Sequence, residues 1–208
     1  DRIVGRVIAR AVDHVIATSS QLIEPTPPRA ATVVPPPRPT APLLSRGAAR
    51  EVLAARGVRL DDRPTFAMVG RIIDYKGIDD AIVALGTATS WQLVVIGDDD
   101  ASQAGATDAL RQLAEHEGVA DRVHFTGHID GAFSVLTAFD AVGQFTKLGH
   151  DSSGEGFGIA ALEAAAAGVP VISTPNAPVL ELLGGAHLVV PVASPTAIAE
   201  ALTKVREL

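Results

Sequence analysis

Between Gly154 and Pro170 the chain reads Gly-Glu-Gly-Phe-Gly-Ile-Ala-Ala-Leu-Glu-Ala-Ala-Ala-Ala-Gly-Val-Pro. Glycines at alternate positions, Gly154, Gly156 and Gly158, give way to a run of Ala and Leu. Those are strong helix formers, and Gly168 followed by Pro170 is a stop signal. A tight loop feeding a helix N-terminus leaves backbone N–H groups without intrahelical partners and aims them at whatever lies in front. The chemistry this offers is anion binding. Glu155 stands just before the helix and Glu163 within it. Eight residues is a little over two turns, so both carboxylates can face one side. Glu163 sits among apolar residues, where a carboxylate either faces solvent or is bonded to something specific. Alternate glycines before a helix are weak evidence alone. The loop gains weight only if the chain supplies cations and a strand–helix frame around it.

The cations come from Gly70-Arg71-Ile-Ile-Asp-Tyr-Lys76-Gly77, which leaves an apolar strand and precedes a helix. A guanidinium fork and an ammonium five residues apart suit a doubly charged diphosphate. The plain alternative is a pair of solvated surface cations, each worth little. Other polar clusters are less specific. Asp98-Asp-Asp100 invites a metal reading, but it is read as a solvated acidic loop, because no second carboxylate or histidine cluster completes a coordination shell. His124 and His128 straddle a strand end, so helical metal-ligand spacing does not apply. His150, Ser152 and Ser153 lie directly before Glu155. Either serine could cap the helix or touch a phosphate, and no constellation supports a serine nucleophile. Trp91 is assigned to the core.

The elements that must position these residues follow from periodicity. Residues 1–13 carry apolar positions at helical spacing with arginines four apart, an amphipathic helix. Residues 14–18 read as a short buried strand. Residues 25–42 hold eight of the fourteen prolines and read as a stiff linker, with a brief strand possible at Val33-Val34. A proline-rich partner ligand is the weaker alternative. The domain boundary falls here: residues 1–42 end one domain and include the linker, and 43–208 form another. Helices are expected over about 43–57, 78–85, 106–117, 132–138, the glycine-loop segment, 179–183 and from 195. Strands are expected over 65–69, 91–96, 122–125, 141–145, 169–173 and 187–190. Apolar strands alternating with helices mean an α/β, Rossmann-like parallel sheet with helices on both faces. Ligands of such sheets bind beyond the carboxyl ends of the strands.

Composition narrows the function classes. The 208 residues are 47% hydrophobic and 20% charged, enough for one full domain and a piece of another. A net charge of −7 argues against a general nucleic-acid binder. The absence of cysteine excludes disulfides and thiolate metal sites. No apolar run approaches the length of a membrane span, and no signal peptide is evident. The chain begins at Asp1, inside an expected helix, and is read as a fragment of a longer protein, although processing could give the same start.

Over residues 65–207 the chain resembles the retaining, nucleotide-sugar-dependent glycosyltransferases of the two-domain GT-B type, family 4, with a weaker likeness over 1–45. The resemblance rests on Val69-Gly-Arg71 with Lys76-Gly77, Val94-Val-Ile-Gly97, Val123-His-Phe-Thr-Gly127, and Glu155-Gly-Phe-Gly158 with Glu163-Ala-Ala-Ala-Ala-Gly-Val-Pro-Val171. It implies the C-terminal, sugar-donor-binding half of the fold. Arg71 and Lys76 would grip the diphosphate of a UDP- or GDP-linked sugar, and backbone N–H groups of Phe157, Gly158 and Ile159 would meet the distal phosphate. Glu155 would act on the hydroxyls of the transferred sugar, Glu163 would hold the ribose, and the backbone near Ile129 would accept the base. It implies a hexosyltransferase with no cofactor and no metal, whose acceptor is bound by an N-terminal domain, so that the fragment alone is inactive. A cytoplasmic location is implied, with any peripheral membrane contact made through that N-terminal domain. Three stretches depart from the family pattern: Val34–Arg38, Phe145-Thr146-Lys147, and the segment after Ser173. They bear on the sugar pocket rather than on the fold. Two alternatives stay open: a non-catalytic nucleotide-sugar-binding module, and a nucleotide-sugar epimerase or phosphorylase on the same fold.

Overall fold

A computed structural model of the chain describes residues 11–20, 23, 30–37, 39–147 and 158–207. Six strands, β3 (Thr65–Val69), β4 (Gln92–Ile96), β5 (Val123–Phe125), β6 (Ala141–Gln144), β7 (Val171–Ser173) and β8 (Leu188–Val189), form one sheet. Their order is β5-β4-β3-β6-β7-β8, and every pairing is parallel. The chain works outward from β3 to β5, then returns to lay β6 on the other side of β3. The order therefore reverses between β3 and β6, which opens a crevice at the carboxyl ends of those two strands.

Helices cover both faces, as the alternation requires. Phe66, Met68, Leu93 and Val95 pack on one face with Ala81, Ile82 and Leu85 of α2 (Ile78–Thr87), Ala114 of α3 (Ala106–His116) and Ile198 and Leu202 of α6 (Pro195–Val205). Ala67, Val94, Ile96, Val142 and Val171 pack on the other. They meet Ala49 and Leu53 of α1 (Arg46–Ala55), Phe133 and Leu136 of the 3-10 turn Ala132–Ala138, Ala161 and Ala164 of α4 (Ile159–Ala166), and Val179 of α5 (Ala177–Leu183). Each fully buried Leu, Ile or Phe contributes about 1.5–3 kcal/mol relative to exposure. Trp91 is buried as expected and meets Phe66 edge-on, with ring centroids 6.1 Å apart.

One buried cation is structural. Arg122 donates to the carbonyls of Leu85, Ala88 and Trp91 at 3.0, 3.2 and 3.0 Å. The carbonyls at the end of α2 and of the turn that follows it thus find a charged donor.

The segment expected as linker contributes more than a connection. Ala31–Val33 forms β2, which pairs in parallel with β1 (Val15–Ala17), and Val34 N–H donates to Ala17 O at 2.8 Å. β2 thus begins two residues earlier than the expected Val33-Val34. Residues 1–10, most of 21–29, and Arg38 lie outside the described residues. Among the described residues no helix is long and apolar enough to cross a membrane.

Candidate functional site

The loops after β3 and β4 are laced together before they reach the crevice. Ile72 N–H donates to Asp98 O at 2.8 Å, and Asp100 N–H to Ile72 O at 2.9 Å. This close approach needs glycine, because a Cβ on Gly97, whose φ is +149°, would fall 1.9 Å from Gly70 O. The chain then makes the 3-10 turn Asp74–Lys76 and enters α2 through Gly77. The spacing of five residues between Arg71 and Lys76 is thereby set by a strand end and a single turn.

Arg71, Lys76 and the start of α4 converge on the crevice. A narrow cavity of about 20 Å³ there is lined by Gly70, Arg71 and Lys76, by Gly143 and Gln144 of β6, and by Ala160 of α4. Arg71 is mostly exposed and its guanidinium donates to Asp100. A larger hollow of about 380 Å³ lies beside it, between the start of α2 and α3. Its only charged lining groups among the described residues are Asp74 and Asp79. An anion would be repelled there, so size does not pick out the site.

The first turn of α4 has no side-chain cap among the described residues. Helices α1, α5 and α6 are capped by the side chains of Ser45, Asn176 and Ser194. The N-cap of α4 is Gly158, in the left-handed region, with no side-chain cap. Ala161 and Leu162 N–H donate back to Gly158 O at 3.1 and 3.3 Å, whereas Ile159 and Ala160 N–H have no partner among the described residues. Ile159 is 54% exposed, and Glu163 stands one turn further along the same side. Glu163 is half-buried, and burial raises its carboxyl pKa above the ordinary value of 4.5. Its carboxylate has no hydrogen-bond partner among the described residues. Glu155 and Phe157 lie outside the described residues, with Gly154, Gly156, His150, Ser152 and Ser153.

Ile129 is placed at the same edge, after β5. Its side chain is buried, and its backbone amide and carbonyl have no hydrogen-bond partner among the described residues. The preceding residue is pinned on both sides: His128 N–H donates to Asp98 at 2.9 Å, and Arg56 donates to His128 O at 2.8 Å.

The acidic run is not the solvated loop expected. Asp98 holds His128; Asp99 accepts from Gly105 N–H and Thr107 N–H at the start of α3; Asp100 is buried and accepts from Ser102 and Arg71. The hydrogen bonds from Thr107 hold the Asp99 carboxyl below its usual range, and those from Ser102, with Arg71, do the same for Asp100. The run is a set of loop staples. Among the described residues no three His, Asp or Glu side chains cluster as metal ligands.

Two residues of this edge escaped sequence reasoning. Lys147 Nζ reaches Asp79 at 2.5 Å and Asp80 at 3.4 Å, and Lys147 N–H donates to Tyr75 O at 2.6 Å. Burial lowers its pKa, but the two carboxylates outweigh burial and the net shift is upward. Lys147 thus ties the loop after β6 to the turn carrying Lys76. Gln144 is the second. In the sequence Lys147 figures only within the departing stretch Phe145-Thr146-Lys147, with no role of its own, and Gln144 belongs to no local pattern that could have flagged it.

Residues 50–208 match the sequence family described as Glycosyl transferases group 1. A GDP-mannose-dependent alpha-(1-6)-phosphatidylinositol monomannoside mannosyltransferase of Mycobacterium tuberculosis is 37% identical over 135 residues, covering 61% of this chain and 33% of that protein. The chain therefore spans about a third of the length of this curated relative. Sucrose-phosphate synthase from Thermosynechococcus elongatus superposes with a TM-score of 0.82 at 25% identity, over 99% of this chain and 52% of that one. Anabaena HepE, solved in complex with UDP-glucose, superposes with a TM-score of 0.84 at 18% identity, over 99% of this chain and 57% of that one. The second likeness shows the fold alone.

Proposed function

The chain belongs to the group 1 glycosyl transferases, and from that membership we propose that it is the sugar-donor-binding portion of a retaining, family 4 enzyme of the GT-B type. One observation carries the reading. Arg71, Lys76 and the first turn of α4 line a single cavity between the carboxyl ends of β3 and β6, where the strand order reverses. Two cations and a helix N-terminus with no side-chain cap among the described residues suit a diphosphate.

In this reading residues 43–208 are the donor domain. Negative charge grows on the nucleoside diphosphate as it leaves the sugar. Fixed cations and N–H dipoles that meet that charge lower the barrier. Arg71 and Lys76 grip the diphosphate, and the N–H groups of Phe157, Gly158 and Ile159 meet its distal phosphate. Glu163, half-buried and without a hydrogen-bond partner among the described residues, takes the ribose hydroxyls. The backbone at Ile129 takes the base, and Glu155 takes the hydroxyls of the transferred sugar. No metal cofactor is required. The acceptor is held by an N-terminal domain, which also makes any peripheral contact of a cytoplasmic enzyme with a membrane. The 37% identical relative is named for a GDP-mannose donor and a lipid acceptor, which makes GDP the first nucleotide to try.

Isothermal calorimetry of the 208-residue chain with GDP, UDP and the parent nucleosides tests the reading. One of the diphosphates is expected to bind well above its nucleoside. Equal affinity for nucleoside and diphosphate, or no binding by either diphosphate, would overturn it.

A further inference from the structure

A buried carboxamide lies where the proposed diphosphate cleft narrows. Gln144 ends β6 and is 6% exposed, and neither its Oε1 nor its Nε2 has a hydrogen-bond partner among the described residues. Its register partner on β7, Ser173, is fully buried with an Oγ in the same condition. Several other buried polar side chains of the sheet and its flanks are served, although Ser19 Oγ, outside the sheet, is not. Gln92 donates to Asp61 and to Arg63 O, Arg122 to three carbonyls, and Thr174 to Thr146 O. An orphaned amide in a core is unfavourable, and a position that needed only volume would be better filled by an apolar side chain.

The surroundings of Gln144 suggest what would serve it. Its carboxamide lies against the N-cap of α4, so closely that a Cβ on Gly158 would fall 2.6 Å from Nε2. Gln144 also lines the cavity shared by Arg71, Lys76 and Ala160. At about 20 Å³ that cavity takes one oxygen-sized group, not a whole anion.

We propose that Gln144 is a further binding residue for the sugar nucleotide, its carboxamide N–H donating to one non-bridging oxygen of the diphosphate lodged between Arg71, Lys76 and the first turn of α4. The proposal rests on reading this cleft as the diphosphate site. A neutral amide adds a directed hydrogen bond there without adding charge, a task neither cation performs.

The test uses the 208-residue chain, calorimetry with GDP, UDP, guanosine and uridine, and thermal melting. Gln144→Met keeps the volume and removes both polar atoms; Gln144→Glu keeps the shape and adds a negative charge. The methionine variant is expected to melt at or above the wild-type temperature yet bind the diphosphate about tenfold more weakly, the scale of one hydrogen bond to a charged group. Nucleoside affinity stays unchanged. The glutamate variant, with like charges in contact, is expected to lose roughly a hundredfold. Should the methionine variant fail to fold, Gln144→Asn, which withdraws the amide by one methylene, supplies the same comparison. Diphosphate affinity within twofold of wild type in a folded variant, or equal losses for nucleoside and diphosphate, would remove Gln144 from the site. Failure of the wild-type chain to bind either diphosphate would instead remove the cleft's assignment, and this proposal with it.

Discussion

Arg71 reaches the cleft already paired with Asp100, which Ser102 holds in place. Its guanidinium is therefore oriented before a ligand arrives, and its exposed face remains available to a phosphate. Replacing Arg71 or Lys76 by Ala should weaken nucleoside diphosphate binding by about 1.5–3 kcal/mol each, with little change for the nucleoside. Calorimetry on both ligands checks this, and equal losses for the two would place the residues away from the phosphates. Glu163 gives a prediction with a pH signature. Burial raises its pKa above 4.5, so the folded state holds the proton more tightly than the unfolded state. Its stabilising contribution is complete below the unfolded value and is lost as pH rises through the folded one. Glu163→Gln should therefore raise Tm by about a degree or two at pH 7 and leave it unchanged at pH 4. The same variant should bind ribonucleotides more weakly and a 2′,3′-dideoxy analogue as well as wild type does. A Tm gain that persists at pH 4 would mean the effect is not electrostatic.

At the scale of elements, α2 is fixed at both ends by residues distant in sequence. At its start, Gly77 adopts a φ of +69°, and a Cβ there would lie 2.2 Å from Phe145 O. Only glycine lets the Lys76 turn abut the end of β6, and Lys147 clamps the same junction through Asp79 and Asp80. At its end, Arg122 gathers three carbonyls. Arg122→Ala would remove the charged donor from all three, leaving Ala88 O only its bond from Trp91 N–H, at a cost of about 3 kcal/mol. Tm should fall by on the order of 6–12 °C, with diphosphate affinity at 25 °C unchanged, because the binding end of the helix is held separately. Melting and calorimetry on one preparation check both halves. A loss of affinity in the folded variant would show that the two ends of α2 are coupled.

At the scale of the molecule, the reversal of strand order gathers loops from both halves of the sheet onto one crevice. A diphosphate can be neutralised by Mg²⁺ held on carboxylates, or by protein cations and a helix N-terminus. In this chain Asp98, Asp99 and Asp100 are committed to stapling loops, whereas Arg71, Lys76 and α4 face the crevice. The chain should accordingly bind its nucleoside diphosphate with the same affinity in EDTA and in Mg²⁺. It should also transfer no sugar, because transfer needs an acceptor held against the reacting carbon and a closed cleft. A strict Mg²⁺ requirement would defeat the first expectation, and product formation above background hydrolysis the second.

The sequence by itself determined the layered sheet, and it named the cations and the helix start that the fold brings to one edge as a candidate site. All of these are written in local periods. Apolar runs such as Phe66–Met68 and Leu93–Ile96 alternate with helical stretches, and glycines close the strands at Gly70, Gly97 and Gly127. What only the tertiary structure decided involves partners far apart in the chain. The run Asp98–Asp100 looked solvated because His128 and Arg71, which it binds, have no fixed spacing from it. Arg122 gave no sign that it would be buried beneath α2. Gln144 reads as one polar residue in an apolar strand until Gly158, fourteen residues on, packs against its amide. Local spacing encodes which face or edge a residue occupies; long-range packing selects the partner it meets there, and with it whether a polar group staples the fold or waits for a ligand.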